Sequence, residues 1–75
     1  MAAKQEVDAS GLNCPLPILR AKKALAGLEA GEILKVISTD PGSRRDFEAF
    51  SRQTGHELLR MVESEASWSF YLQHK

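Results

Sequence analysis

The run Glu32-Ile33-Leu34-Lys35-Val36-Ile37-Ser38-Thr39, "EILKVIST", constrains the fold more than any other part of this chain. It is rich in β-branched side chains, too short for an ordinary helix, and flanked on both sides by stretches of helical periodicity. Such a run predicts a central strand, buried on both faces. At 75 residues the chain has room for one sheet and a couple of helices, because a chain this small hides only about 60% of its unfolded surface on folding.

The other elements follow from their punctuation. Glu6–Ala9 alternates weakly before Ser10-Gly11, which predicts a short first strand ending in a turn. Pro15 suits the first helical position, where its missing N–H would be unpaired anyway, and Pro17 falls in the same turn. That helix should run to about Ala26 and be closed by Gly27 or Gly31. After the central strand, Asp40-Pro41-Gly42-Ser43 reads as a turn. Ser43 and Asp46 have capping-box spacing at the start of a second helix, which continues through about Gln53 and stops at Gly55. His56–Glu63 and Ser67–Gln73 alternate with period two, joined as a hairpin by Ser64-Glu65-Ala66. Trp68, Phe70 and Leu72 form one apolar face of the last strand, and Phe47 is a further core residue. The order β-α-β-α-β-β predicts an α/β fold: a two-layer α/β sandwich with a four-stranded mixed sheet and two helices on one face, one domain over residues 1–75.

The only cysteine, Cys14, stands in "GLNCPLPILR", directly before the first helix. Most free cysteines are small buried hydrophobes, but this position points to a reactive thiol. A residue preceding the first helical turn faces unpaired N–H groups and the positive end of the helix dipole, which lowers a thiol pKa from about 8.5 toward neutrality. Pro15 restricts Asn13-Cys14 to an extended approach. The N–H groups of Leu16 and Ile18 are then expected to point at whatever the sulfur carries. On a wheel of about 100° per residue, Ile18, Ala21, Leu25 and Leu28 gather on the sheet side. Leu16, Leu19, Arg20 and Lys23 gather on the other, an apolar patch with a basic rim suited to a partner protein.

Several functions are excluded or disfavoured. Ten basic and ten acidic residues cancel, so direct nucleic-acid binding is not expected. A lone cysteine forms no intramolecular disulfide and excludes an intramolecular dithiol mechanism. His56 and His74 are poorly placed to act as a base for Cys14, and one cysteine with two scattered histidines has no metal-ligand spacing. No cofactor is called for. No apolar run approaches the roughly 18 residues of a membrane span, and Met1–Glu6 has no apolar signal core, so a cytoplasmic protein with no membrane association is expected.

The stretch "LNCPLPILRAKKAL" resembles the Cys-Pro-x-Pro signature of the TusA/SirA family of small sulfur-carrier proteins, and the likeness continues through "STDPGSRRDF" and "GHELL". The resemblance implies the same β-α-β-α-β-β fold and a persulfide on Cys14, with Asn13, Pro15 and Pro17 supporting the loop. It also implies a donor protein, either a cysteine desulfurase, a rhodanese or a DsrE-type protein, and a protein acceptor in tRNA thiolation, molybdenum-cofactor or sulfur-oxidation pathways. The protein would be a monomeric sulfurtransferase-like carrier with little turnover of its own. The partner surface would comprise Leu16, Leu19, Arg20 and Lys23, joined by Asp40 and Arg44 from a turn on the same side. The alternative is a regulatory or redox-sensing interaction module that uses the same thiol as sulfenate or intermolecular disulfide.

Overall fold

Residues 2–75 are described by the computed structural model; Met1, with which the expected single domain would begin, lies outside the described residues. Each expected element forms within a residue of its expected ends: β1 (Gln5–Ala9), α1 (Leu16–Ala26), β2 (Ile33–Ser38), α2 (Ser43–Thr54), β3 (Glu57–Ser64) and β4 (Ser67–Gln73). The sheet order is β1-β2-β4-β3, with β1 parallel to β2 and the other pairs antiparallel. Both helices cover one face. Ala21 and Leu25 of α1 share a single core with Phe47 and Phe50 of α2, over Leu34, Val36, Phe70 and Leu72 of the sheet.

β2 is central, but it is not buried on both faces. Leu34, Val36 and Ser38 are buried beneath the helices, whereas Ile33, Lys35 and Ile37 are half-buried on the opposite face. With both helices on one side, a second covering layer does not exist among the described residues. Lys35 uses that open face to approach Glu6 (3.7 Å) and to lie 5.8 Å above the Tyr71 ring.

Three local expectations are also corrected. No capping box forms, because the N-cap of α2 is Gly42, which has no side chain to cap the helix. Ser43 instead turns inward, and its hydroxyl meets that of Ser38 at 2.5 Å, so each satisfies the other below the surface. In β3 the period-two alternation breaks at a bulge between Leu58 and Arg60, and Leu59 is the extra residue. Pro15 is the N-cap of α1 and not its first helical residue. At the other end of α2, Gly55 adopts φ 85° and its N–H reaches the Ser51 carbonyl, a left-handed stop that glycine adopts without strain.

His56 follows that stop, its ring 4.6 Å from that of His74 and its Nδ1 accepting the Lys75 N–H. Burial, then the charges of His74 and Lys75, hold its pKa below the ordinary histidine value. A depressed folded pKa means that the folded state binds fewer protons than the unfolded one. The contribution is therefore complete above about pH 6.5 and is lost as pH falls through the lower folded value. Thermal melts should accordingly decline from pH 8 toward pH 5, and His56→Gln should flatten that part of the decline.

Candidate functional site

Because β1 and β2 are parallel neighbours, their C-terminal ends lie at the same edge of the sheet. The β1–α1 loop that carries Cys14 and the β2–α2 turn that carries Asp40 therefore meet, in the position where open α/β sheets build their sites. Hydrogen bonds fix the meeting. The Gly11 N–H donates to Thr39 Oγ1 at 2.8 Å, and the Cys14 N–H donates to Asp40 Oδ2 at 2.7 Å. The other oxygen of Asp40 accepts the Gly42 N–H at 3.1 Å. One carboxylate thus ties the cysteine loop to the start of α2.

Cys14 is exposed, and the Cys14–Pro15 peptide is cis. The thiol opens on a cleft of about 650 Å³ whose charged lining is Asp40, Arg44, Arg45, Asp46 and Glu48. Pro17 is buried and anchors the first turn of α1, whereas Asn13 and Pro15 are exposed. The Asn13 carbonyl accepts the Leu16 N–H at 2.8 Å. That donor is therefore not free for the sulfur, contrary to expectation.

The expected depression of the thiol pKa is likewise overturned. The Asp46 carboxylate on the same cleft, with partial desolvation and the negative charge of Asp40, raises the Cys14 pKa above its ordinary value. The expectation placed the sulfur against the end of α1. In the structure the side chain faces the first turn of α2, where carboxylates outweigh the helix dipole.

Of the residues expected at a partner surface, Asp40 and Arg44 join Cys14 in the cleft. Leu16 and Leu19 are 45% and 53% exposed on the outer side of α1, while Leu25 is 1% exposed, so the two faces of this helix are as the wheel predicts. Arg20 and Lys23 line a separate depression with Gln5 and Val7 of β1, away from the cysteine cleft. His74 exchanges backbone bonds with Gly31 and Glu32 at the start of β2. It and its neighbour His56 thus sit roughly 20 Å from Cys14, about the length of a six-residue strand, and neither reaches the thiol. No cluster of three metal-ligating side chains occurs among the described residues, and no helix is long and apolar enough to cross a membrane.

A model of the family described as Sulfurtransferase TusA matches residues 5–74. The chain belongs to the TusA family. It is 57% identical over 68 residues to the sulfur carrier protein TusA of Allochromatium vinosum, covering 91% of this chain and 90% of that protein. It is 54% identical to a putative sulfur carrier protein of Neisseria meningitidis, over 95% of this chain and 96% of that one. The solved structure of a SirA-like protein from Desulfitobacterium hafniense superposes with a TM-score of 0.81 at 31% identity, covering 92% of this chain and 95% of that one. The TusA fold thus accounts for the meeting of the two strand-to-helix junctions. Asp46 and Glu48 are not singled out as site residues by the sequence. The available signal was topological: two parallel strands, each followed by a helix, must bring both junctions to one edge.

Proposed function

We propose that this protein is a sulfur carrier that holds a sulfane sulfur as a persulfide on Cys14. It receives the sulfur from a donor protein, a cysteine desulfurase, a rhodanese or a DsrE-type protein, and delivers it to a protein acceptor in one of the pathways named above. The observation that carries this reading is a lone, exposed thiol at the mouth of a charged cleft, on a residue whose backbone N–H donates to the Asp40 carboxylate, with no second thiol to expel the sulfur as a disulfide. Transfer is isoelectronic. Cys14 Sγ bonds to the outer sulfur of the donor persulfide, the donor S–S bond breaks with its electron pair on the inner sulfur, and the proton from Cys14 ends there. Cys14–SH and R–S–SH become Cys14–S–SH and R–SH, with no external oxidant.

Intact-mass spectrometry after incubation with a cysteine desulfurase and cysteine tests this reading. A gain of one sulfur atom, removed by reductant, is the expected result. A gain of oxygen or a disulfide-linked pair in its place would favour the redox-sensing module.

The exposed Leu16 and Leu19 form the apolar part of the partner surface, with Arg44 in the cleft and Arg20 and Lys23 further along α1 as its basic members. Leu19→Ala should melt within about 0.5 kcal/mol of the parent and still react with a small alkylating agent, yet load several-fold more slowly from a protein donor. Unchanged loading kinetics would move the docking face to the Asp40–Arg44 turn.

A further inference from the structure

The face of the sheet turned away from the helices carries an ordered pattern of charge. Cross-strand partners share a face, so the row through Lys35 runs Glu6, Lys35, Tyr71 and Arg60 from the β1 edge to the β3 edge. One row away, Lys4 stands at the β1 edge, its N–H donating to the Ile33 carbonyl, and Glu57 stands at the β3 edge beyond Gln73. The β1 edge thus reads positive then negative, and the β3 edge negative then positive. Contacts within the chain leave these charges in solvent: the side chain of Lys4 is 65% exposed beside Glu32, and that of Glu6 is 56% exposed beside Lys35. Two intervening strands hold the edges roughly 14 Å apart, too far to pair with each other in one chain. Between them Ile33, Ile37 and Tyr71 are half-buried with no layer above them, and Val62 is exposed.

We propose that this face is a self-association surface, on which a second copy of the chain sits face to face about a two-fold axis running along the strands between β2 and β4. Such an axis keeps each row at its own level and exchanges the two edges. Glu6 then faces the partner's Arg60, and Lys4 faces the partner's Glu57, each pair occurring twice. Lys35 faces the partner's Tyr71, and Asp8 stays at the rim opposite the partner's Val62. An axis across the strands through the Lys35 row would set Glu6 on Glu6 and Arg60 on Arg60. Packed sheets lie about 10 Å apart, a gap that glutamate and arginine side chains span from both sides. The face measures roughly 19 by 17 Å, well short of the about 800 Å² per partner of a standard interface. The dimer is therefore weak, with a dissociation constant on the order of 100 μM. The monomer that the family resemblance implies is the form below that concentration. Both helices lie on the outer sides of the pair, so Leu16, Leu19 and the cysteine cleft stay uncovered, and the two Cys14 loops emerge at the same end.

Sedimentation equilibrium of the full chain from about 10 μM to about 1 mM tests the proposal, with reductant present so that no disulfide joins two Cys14 thiols. The weight-average mass of the parent should climb from that of one chain toward that of two, and climb less at high salt, which screens exposed pairs. Glu6→Arg and Arg60→Glu should each weaken association at least about tenfold, because two repulsive pairs replace two attractive ones. The double variant should associate as the parent does. An equimolar mixture of the two single variants should form a one-to-one heterodimer, since each of its pairs again joins opposite charges. A parent that keeps the mass of one chain throughout overturns the proposal. So do single variants that associate like the parent, or a double variant that stays dissociated. If a variant does not fold, a dilution series of the parent followed by amide NMR shifts decides. Shifts that move at Ile33, Ile37, Tyr71 and Val62 while Leu16, Leu19 and Arg44 hold still support the sheet face, and the reverse pattern overturns it.

Discussion

Cys14→Ser should fold as the parent does and take up no sulfur at all. The side chain is exposed and fills no part of the core. The loop is held through the Cys14 backbone N–H on Asp40 and the Asn13 carbonyl on Leu16, neither of which depends on the sulfur. The change in stability should therefore stay within about 0.5 kcal/mol. The chemistry is lost completely, because an alcohol offers no appreciable anion near neutral pH and cannot retain a sulfane sulfur. With a cysteine desulfurase and cysteine present, the intact mass of the variant should remain that of the unmodified chain, and its melting curve should overlay the parent's. Reductant-labile sulfur on the serine protein would place the carrier atom elsewhere and end the assignment to Cys14.

The fold was legible because its signals are local. The β-branched run of β2, the prolines at the head of α1 and Gly55 after α2 each act within a few residues of the boundary they set. What was misread depends on neighbours remote in sequence. Ile33 and Ile37 suggest burial on both faces, but which face of β2 receives a layer is decided by where the helices pack. Ser43 has the spacing of a cap residue, yet the hydroxyl of Ser38 across the turn draws it inward. The same division holds at the site. The position of Cys14 before two prolines marked the thiol, whereas its electrostatics depend on Asp46, which follows it by a strand, a helix and two turns. Proximity to the α1 dipole is readable from sequence. A carboxylate delivered by the next helix outweighs it, and only the parallel pairing of β1 and β2 brings that carboxylate there.

Phe47→Ala should be the most damaging single substitution to stability, and it bears on the site through α2. Phe47 is fully buried, follows Asp46 directly, stacks on Phe70 of β4 with ring centroids 4.5 Å apart, and meets the edge of Phe50 at 6.3 Å. It is the side chain that fastens the first turns of α2 to the middle of the sheet. Truncating a buried phenylalanine costs about 3–5 kcal/mol, since the space left in a packed core is only partly refilled. A domain of this length has roughly 4–11 kcal/mol in total, so the variant should lose from about a quarter of its stability to all of it. For a domain of this size each kcal/mol corresponds to about 4–8 °C in melting temperature, and a fall of at least about 12 °C is expected. Leu19→Ala, from the exposed side of α1, supplies the control and should melt close to the parent. A Phe47→Ala protein melting within a few degrees of the parent would mean that the core closes over the missing ring, and that the hydroxyl pair of Ser38 and Ser43 with the Asp40 bonds suffices to hold α2 in place.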